Sequence, residues 1–179
     1  MNLPEVLTLY SASAIEERVR ALGRRLEADH EVPDPLVVAL VGGSVVFVAD
    51  LVRAVQRPIR FDSIQVQFSL SGADDDILEI HYPISLDVSD QILIVIKDVS
   101  TSGVIENYLS SQFLQGGARQ VRFATLIDVP TERKTDFKPD YSVFVVESPA
   151  LFVGYGLRYR GRYGNLPYIG RLIDDTAGI

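Results

Sequence analysis

Apolar positions follow two periods along the chain, and the two periods alternate. Residues 15–26 carry apolar side chains at helical spacing, after a capping box that begins at Ser13. The run from Leu36 to Val41 is continuously apolar and rich in valine, which is typical of a parallel strand buried on both faces. The most apolar run, residues 92–96, predicts a second central strand.

The rest of the chain continues this alternation. Residues 47–55 form a helical pattern that ends before Pro58, and two alternating stretches, 59–69 and 77–82, predict a hairpin with an acidic tip at 72–76. Further patterns predict a helix and two more strands, over residues 105–113, 121–127 and 141–146. Strands that alternate with helices indicate an α/β fold with a mainly parallel sheet, and the length suits one domain, 1–179.

Composition narrows the classes of partner and location. The chain holds 17 Lys plus Arg against 24 Asp plus Glu, a net charge of -7, which argues against binding to nucleic acid or to an anionic membrane. It has no cysteine, so disulfides, thiolate nucleophiles and Cys-ligated metals are excluded. The first residues include Glu5 and lack a basic segment that leads into an apolar one, and no apolar run is long enough to span a membrane. We therefore expect a cytoplasmic protein.

The polar segment after the strand at 92–96 is the best candidate for chemistry. Ligands of parallel α/β sheets bind beyond the carboxyl ends of the strands. Here the segment offers hydroxyls, backbone N–H groups and a helix N-terminus, which together suit a phosphate, at Ser100, Thr101, Ser102 and Gly103. A serine-rich helix cap without any ligand has the same pattern, so both interpretations stay open.

The stretch Leu93 to Gly103 resembles the phosphoribosyl pyrophosphate loop of type I phosphoribosyltransferases, which in the hypoxanthine-guanine branch reads approximately V-E-D-I-V-D-T-G-x-T. Other similar stretches follow in the same order along nearly the whole chain: Tyr10 with the following helix, Leu36 to Val55, V-G-Y-G-L at 153–157 and N-L-P-Y-I-G at 165–170. The resemblance implies the type I phosphoribosyltransferase fold, a mainly parallel sheet flanked by helices with a small C-terminal hood region.

Where residues match the family, the resemblance implies binding roles. The phosphate and ribose of the ligand would be held by Asp98 together with the loop from Ser100 to Gly103, although a carboxylate such as Asp98 is also an ordinary helix-entry residue. Gly42 and Gly43 would form the loop whose backbone meets the pyrophosphate, without the lysine of the family's L-K-G sequence. The purine pocket would be lined by Leu151 and by its neighbour Phe152.

Other positions differ from the family where the family's chemistry lies. Lys97 replaces the first acid of the loop, and Thr101 replaces the aspartate proposed to accept the purine N7 proton. Val129 stands in place of the lysine that contacts the purine's exocyclic oxygen. Arg158 stands in place of an aspartate that helps to hold magnesium, and a cation there repels the metal. The loop that closes the family's site is shortened to residues 70–76 and lacks a Ser-Tyr pair.

These differences lead to one main hypothesis and two alternatives. The main hypothesis is a catalytically impaired or inactive purine phosphoribosyltransferase homologue that binds phosphoribosyl pyrophosphate or a purine nucleotide and has no assigned metal ligand. Lys97 and Arg158 are then either a replacement for magnesium as counter-charge or solvated surface charges. The alternatives are an active purine salvage enzyme that makes IMP or GMP with magnesium, and an interaction partner of an active paralogue. Because the family forms dimers and tetramers, we expect a homodimer or homotetramer.

Overall fold

The structure is a computed structural model that describes residues 4–70, 76–81 and 86–173, with the backbone alone for residues 66–70 and 76–81. None of the helices in these ranges is long and apolar enough to cross a membrane. In chain order the elements are β1 (Glu5–Tyr10), α1 (Ala12–Ala28), β2 (Leu36–Leu40), α2 (Val45–Ala54), β3 (Arg60–Leu70), β4 (Asp76–His81), β5 (Ile92–Ser100), α3 (Val104–Gln115), β6 (Gln120–Asp128), a 3-10 turn (Pro130–Glu132), β7 (Tyr141–Val145), β8 (Phe152–Val153) and β9 (Ile169–Ile173).

The larger sheet has the strand order β4-β3-β2-β5-β6-β7. The strands β3, β2, β5, β6 and β7 run parallel to one another. Within the described residues, β4 is the one strand of this sheet that is antiparallel to its neighbour, β3. β2 and β5 lie in the middle of the sheet, and every residue of β2 is buried. The continuous apolar runs of the sequence arise from this central position, since both faces of these strands are covered. The predicted α/β fold with a mainly parallel sheet is confirmed.

A second sheet of three antiparallel strands, in the order β1-β9-β8, forms the hood. Its C-terminal strands agree with the predicted hood region. β1 was not predicted, because no residue of this strand is buried and its sequence therefore lacks a regular apolar alternation. The hood thus joins the beginning of the chain to its C-terminal part.

The two faces of the larger sheet are covered by different elements. One face packs against α1, α2 and the hood in a cluster that includes Phe47 and Ile96. The opposite face packs against α3, with Leu109 at the centre of the contact. At the end of β5, Lys97 contacts Glu106 of α3 on the second face, whereas Asp98 contacts the Gly43 loop that leads into α2 on the first face.

Two predicted boundaries were wrong. α1 is capped by Ser11 rather than Ser13, because β1 ends at Tyr10 and the chain turns there; the Ser11 hydroxyl accepts a hydrogen bond from the Ala14 N–H at 3.2 Å. The segment that begins with Lys97 was expected to be a loop, but β5 continues to Ser100 because it pairs with β6 along this length.

The hairpin of β3 and β4 is confirmed by antiparallel pairing from Gln65 with His81 to Leu70 with Asp76. The predicted acidic tip at 72–76 and the shortened closing loop at 70–76 lie largely outside the described residues.

Candidate functional site

The candidate site lies at the carboxyl ends of β2 and β5, where a parallel sheet leaves room for a ligand. β2 leads through Gly42 and Gly43 into α2, and β5 leads through residues 101–103 into α3. The two loops meet at Gly43, because a Cβ atom there would collide with Oδ2 of Asp98. Oδ1 of the half-buried Asp98 accepts the N–H of Val99 at 2.7 Å. The structure therefore places the predicted pyrophosphate loop beside the predicted ribose carboxylate.

The loop between β5 and α3 turns sharply at Gly103. Gly103 has a φ of 78°, and a Cβ atom there would lie 2.5 Å from Oγ1 of Thr135, so both backbone and space require glycine. The Ser102 hydroxyl accepts a long hydrogen bond from the Val104 N–H at 3.4 Å, and Thr101 is exposed. The helix-capping residue itself provides no side-chain acceptor. N–H groups at the start of this 12-residue helix are thus placed to bind an anion.

Lys97 and Ser100 point away from this open loop, toward α3. Nζ of Lys97 lies 3.0 Å from Oε1 of Glu106, and the two side chains are 13% and 2% exposed. The Ser100 hydroxyl donates to the same carboxylate oxygen at 2.6 Å. Lys97 is therefore the partner of a buried carboxylate, and Thr101 and Ser102 are the loop hydroxyls left open to a ligand.

Arg133 completes this polar network from the segment after β6. Its guanidinium donates to the Ser100 hydroxyl at 3.2 Å and to the Thr101 carbonyl at 2.6 Å. It also forms an ion pair with Asp128, the last residue of β6. Arg133 fixes the backbone of the loop by these contacts. The sequence analysis missed Arg133 and Glu106, although an acid on the apolar face of a predicted helix is a detectable signal.

The predicted purine pocket is largely apolar. The side chain of Val129 is fully buried, and half-buried Phe152 packs against the cluster that contains it. Leu151 is 53% exposed, and its carbonyl accepts the N–H of Leu172 at 3.0 Å. Phe152 therefore packs against the core, whereas Leu151 lies at the surface.

Arg158 lies in the hood, over a cleft of about 440 Å³ that Gly42 and Gly156 also line. Its side chain is exposed, and its guanidinium forms no ion pair or hydrogen bond within residues 4–65 and 86–173, whose side chains the structure describes. Of these two cations, Arg158 is available to a ligand, whereas Lys97 is paired with Glu106.

A buried tyrosine holds the hood against α2. The hydroxyl of Tyr155 donates to Oδ2 of Asp50 at 2.6 Å. Burial, with a smaller contribution from this hydrogen bond, raises the pKa of Tyr155 far above its usual range. Next to it, a Cβ atom at Gly156 would lie 2.5 Å from the Gly43 carbonyl oxygen. The hood therefore lies directly on the predicted pyrophosphate loop. A larger cavity, about 670 Å³, lies between α1, α2 and the hood.

Comparison with known proteins decides the family. The family model for the phosphoribosyl transferase domain matches residues 5–160. The hypoxanthine-guanine phosphoribosyltransferase of Bacillus subtilis (strain 168) is 33% identical over 165 residues, which are 92% of this chain and 91% of that protein. This chain belongs to the hypoxanthine-guanine phosphoribosyltransferase family.

Two further relatives support the assignment to this family. The hypoxanthine-guanine phosphoribosyltransferase of Streptococcus mutans is 33% identical, covering 98% of this chain and 96% of that one. A crystal structure of a hypoxanthine-guanine phosphoribosyltransferase from Bacillus anthracis has a TM-score of 0.85 at 29% identity, covering 94% of this chain and all of the other. The type I phosphoribosyltransferase fold implied by the sequence is confirmed.

The residues present do not fit the magnesium ion that family resemblance implies. Of the two acids in the family's loop, Asp98 remains, whereas the other position holds Lys97, which is paired with Glu106. By the sequence resemblance, the family's metal-binding aspartate corresponds to the cation Arg158. In the described ranges, no group of three or more His, Asp or Glu side chains is arranged to hold a metal. Positions 97 and 158 therefore lack the carboxylates that would bind a divalent ion.

Proposed function

We propose that this family member binds phosphoribosyl pyrophosphate or a purine nucleotide and transfers the phosphoribosyl group to a purine very slowly or not at all. The observation that carries the proposal is Thr101, at the position of the family's proposed general base. It is exposed, and its hydroxyl has no hydrogen-bond partner among the described residues. A threonine hydroxyl does not accept a proton near pH 7, and general acid–base catalysis contributes about a hundred- to ten-thousand-fold to rate.

The proposal that the chain binds such a ligand rests on the residues that remain available to hold its phosphate and ribose. Ser102, Gly103 and the start of α3 provide a hydroxyl and free N–H groups for a phosphate. The Asp98 carboxylate stands at the junction with Gly43, where a ribose that links phosphate and pyrophosphate would lie. These groups need no proton transfer to hold a ligand.

Recognition of the base is also reduced. Val129 presents no polar atom from its side chain and is fully buried, so the contact that the family makes with the purine's exocyclic oxygen has no counterpart there. Phe152 retains an aromatic face for stacking. We therefore expect weaker discrimination between bases than in the relatives.

The test is a turnover assay with phosphoribosyl pyrophosphate, magnesium and hypoxanthine or guanine, with IMP and GMP quantified by chromatography. The Bacillus subtilis relative serves as the positive control. We expect the wild-type chain to be slower by at least about a hundredfold and Thr101→Asp to be faster than wild type. Thr131→Asp, a matched change at another exposed threonine, should have no effect. A wild-type rate close to that of the relative would contradict the proposal.

The second candidate is an active purine salvage transferase, and the retained Asp98 favours it. Its carboxylate lies at the meeting point of the two loops. If Asp98 and the backbone amides compensate for the missing groups, wild type should turn over at the rate of the relative, and Asp98→Asn should abolish the reaction. The same assay therefore separates the two candidates.

A further inference from the structure

Arg158 places a positive charge beside the Gly42 loop, and no described side chain compensates it. The other described residues that line this cleft are uncharged, namely Val41, Gly42, Val45, Gln65, Gly156 and Gly164. Within the described side chains, the guanidinium has no ion-pair or hydrogen-bond partner. The described lining of the cleft offers no carboxylate to this arginine. The positive charge therefore remains available to an anion.

Gly164 makes room for this arginine. A Cβ atom at Gly164 would lie 2.9 Å from Cγ and 3.5 Å from Cδ of Arg158. The φ of Gly164 does not lie in the positive region, so an ordinary residue could adopt its backbone conformation. The Arg158 stem therefore occupies the space that a side chain at position 164 would take.

The opposite side of the cleft is open backbone. Gly42 is exposed, and a Cβ atom there would meet no atom within 4 Å, so a ligand has room to approach the loop at this residue. A guanidinium beside exposed backbone suits a phosphate or diphosphate, since arginine binds such oxygens with two parallel hydrogen bonds. A divalent cation would be repelled at the same place.

We propose that Arg158 supplies the counter-charge for the diphosphate of a phosphoribosyl ligand, so that this chain binds the ligand without a divalent cation. This inference rests on the proposed function, because it names the ionic requirement of the same site. It departs from the family, whose aspartate at this position helps to hold magnesium.

The test is calorimetric titration of the full chain with phosphoribosyl pyrophosphate, once in excess EDTA and once in excess magnesium. We expect equal affinity in both buffers for wild type. Arg158→Gln should weaken binding by about tenfold or more, as expected for one charge-assisted contact. Arg158→Asp, which restores the acid of the family, should bind only with magnesium.

Two further variants make the result specific. Arg160→Gln removes an exposed charge nearby that lies over Tyr159 and does not line the cleft, so it should bind as wild type. Gly164→Ala keeps the charge but displaces the Arg158 stem, so it should weaken binding in the same direction as Arg158→Gln. Circular dichroism confirms that each variant is folded.

Magnesium-dependent binding by wild type, no binding by wild type, or wild-type affinity in Arg158→Gln would each overturn the inference. The titration contains no purine base and needs no turnover. A chain that transfers the phosphoribosyl group rapidly would therefore refute the proposed function, while this titration would still decide the role of Arg158.

Discussion

Replacing Lys97 by methionine should destabilise the chain far more than replacing both members of its ion pair. Lys97 and Glu106 lie 3.0 Å apart at the interface of β5 and α3, and neither side chain is more than 13% exposed. In Lys97→Met, the Glu106 carboxylate stays buried with the Ser100 hydroxyl as its remaining hydrogen-bond donor. An uncompensated buried charge costs about 3–5 kcal/mol, which for a chain of this length lowers Tm by roughly 6–20 °C.

The double variant Lys97→Met with Glu106→Gln removes both charges and keeps an acceptor for the Ser100 hydroxyl. We expect it to lie within about 1–2 kcal/mol of wild type, since the remaining cost is one unpaired amide. Arg20→Gln breaks the exposed pair with Glu16 and is the matched control, with an expected loss of about 0.5 kcal/mol or less.

The measurement is urea unfolding of wild type, both single variants (Lys97→Met and Glu106→Gln), the double variant and the Arg20→Gln control at neutral pH. Unfolding is followed by circular dichroism, and the first four proteins form a double-mutant cycle. We expect a coupling free energy of at least about 2 kcal/mol between the two positions. Additive effects, or a loss in Lys97→Met no larger than that in the Arg20 control, would show that the pair is not buried in solution as described.

Two other predictions concern pH and packing. Burial, and to a lesser extent the hydrogen bond to Asp29, raises the pKa of Tyr141 to about 12, above the unfolded value near 10. Between about pH 10 and 12 the hydroxyl is therefore protonated in the folded chain and deprotonated in the unfolded chain. The folded state consequently loses about 1.4 kcal/mol of stability per pH unit in this range. Tyr141→Phe should remove this alkaline loss in urea unfolding at a series of pH values, and an unchanged slope would contradict the assignment. Gly43→Ala should displace Asp98 and weaken the binding of phosphoribosyl pyrophosphate in calorimetry, whereas Gly42→Ala, which meets no neighbour, should bind much more tightly than Gly43→Ala.

The central sheet was predictable because burial on both faces imposes a continuous apolar run. β2 and β5 lie in the middle of the parallel sheet, and their nearly continuous apolar sequences reflect this position. β1 could not be found in this way, since it is an edge strand of the hood whose partner, β9, lies at the other end of the chain. Its formation depends on tertiary contact rather than on local pattern.

The candidate site was predictable in position but not in the direction of its side chains. Lys97 and Asp98 are adjacent in sequence, yet they lie on opposite faces of β5. The alternation of side chains along a strand could have predicted that the two residues lie on opposite faces. It could not have predicted that Glu106, on another element, pairs with the Lys97 cation. Glu106 shares the buried face of α3 with Leu109 and Phe113, three and seven residues later. A charge inside an apolar helical face was the available signal for a buried ion pair.

The family's loop has glutamate where Lys97 stands, and this difference is not independent of α3. A glutamate at position 97 would face the buried Glu106 carboxylate across the same interface without a cation between them. Such a pair of like charges is unfavourable in a site that water does not reach. Lys97 and Glu106 therefore act as one structural pair in this chain, and we expect a glutamate at position 97 to need a change at Glu106 as well.

The altered positions of the site thus have different physical meanings. Lys97 is matched by Glu106, and Arg158 is accommodated by the space at Gly164. Both exchanges are compensated within the structure, and they change how the loop is supported and how a ligand's charge is balanced. Thr101 has no such counterpart, because its hydroxyl is exposed and unpartnered among the described residues. The proposed loss of transfer chemistry consequently rests on Thr101, and the two cations bear on binding and stability instead.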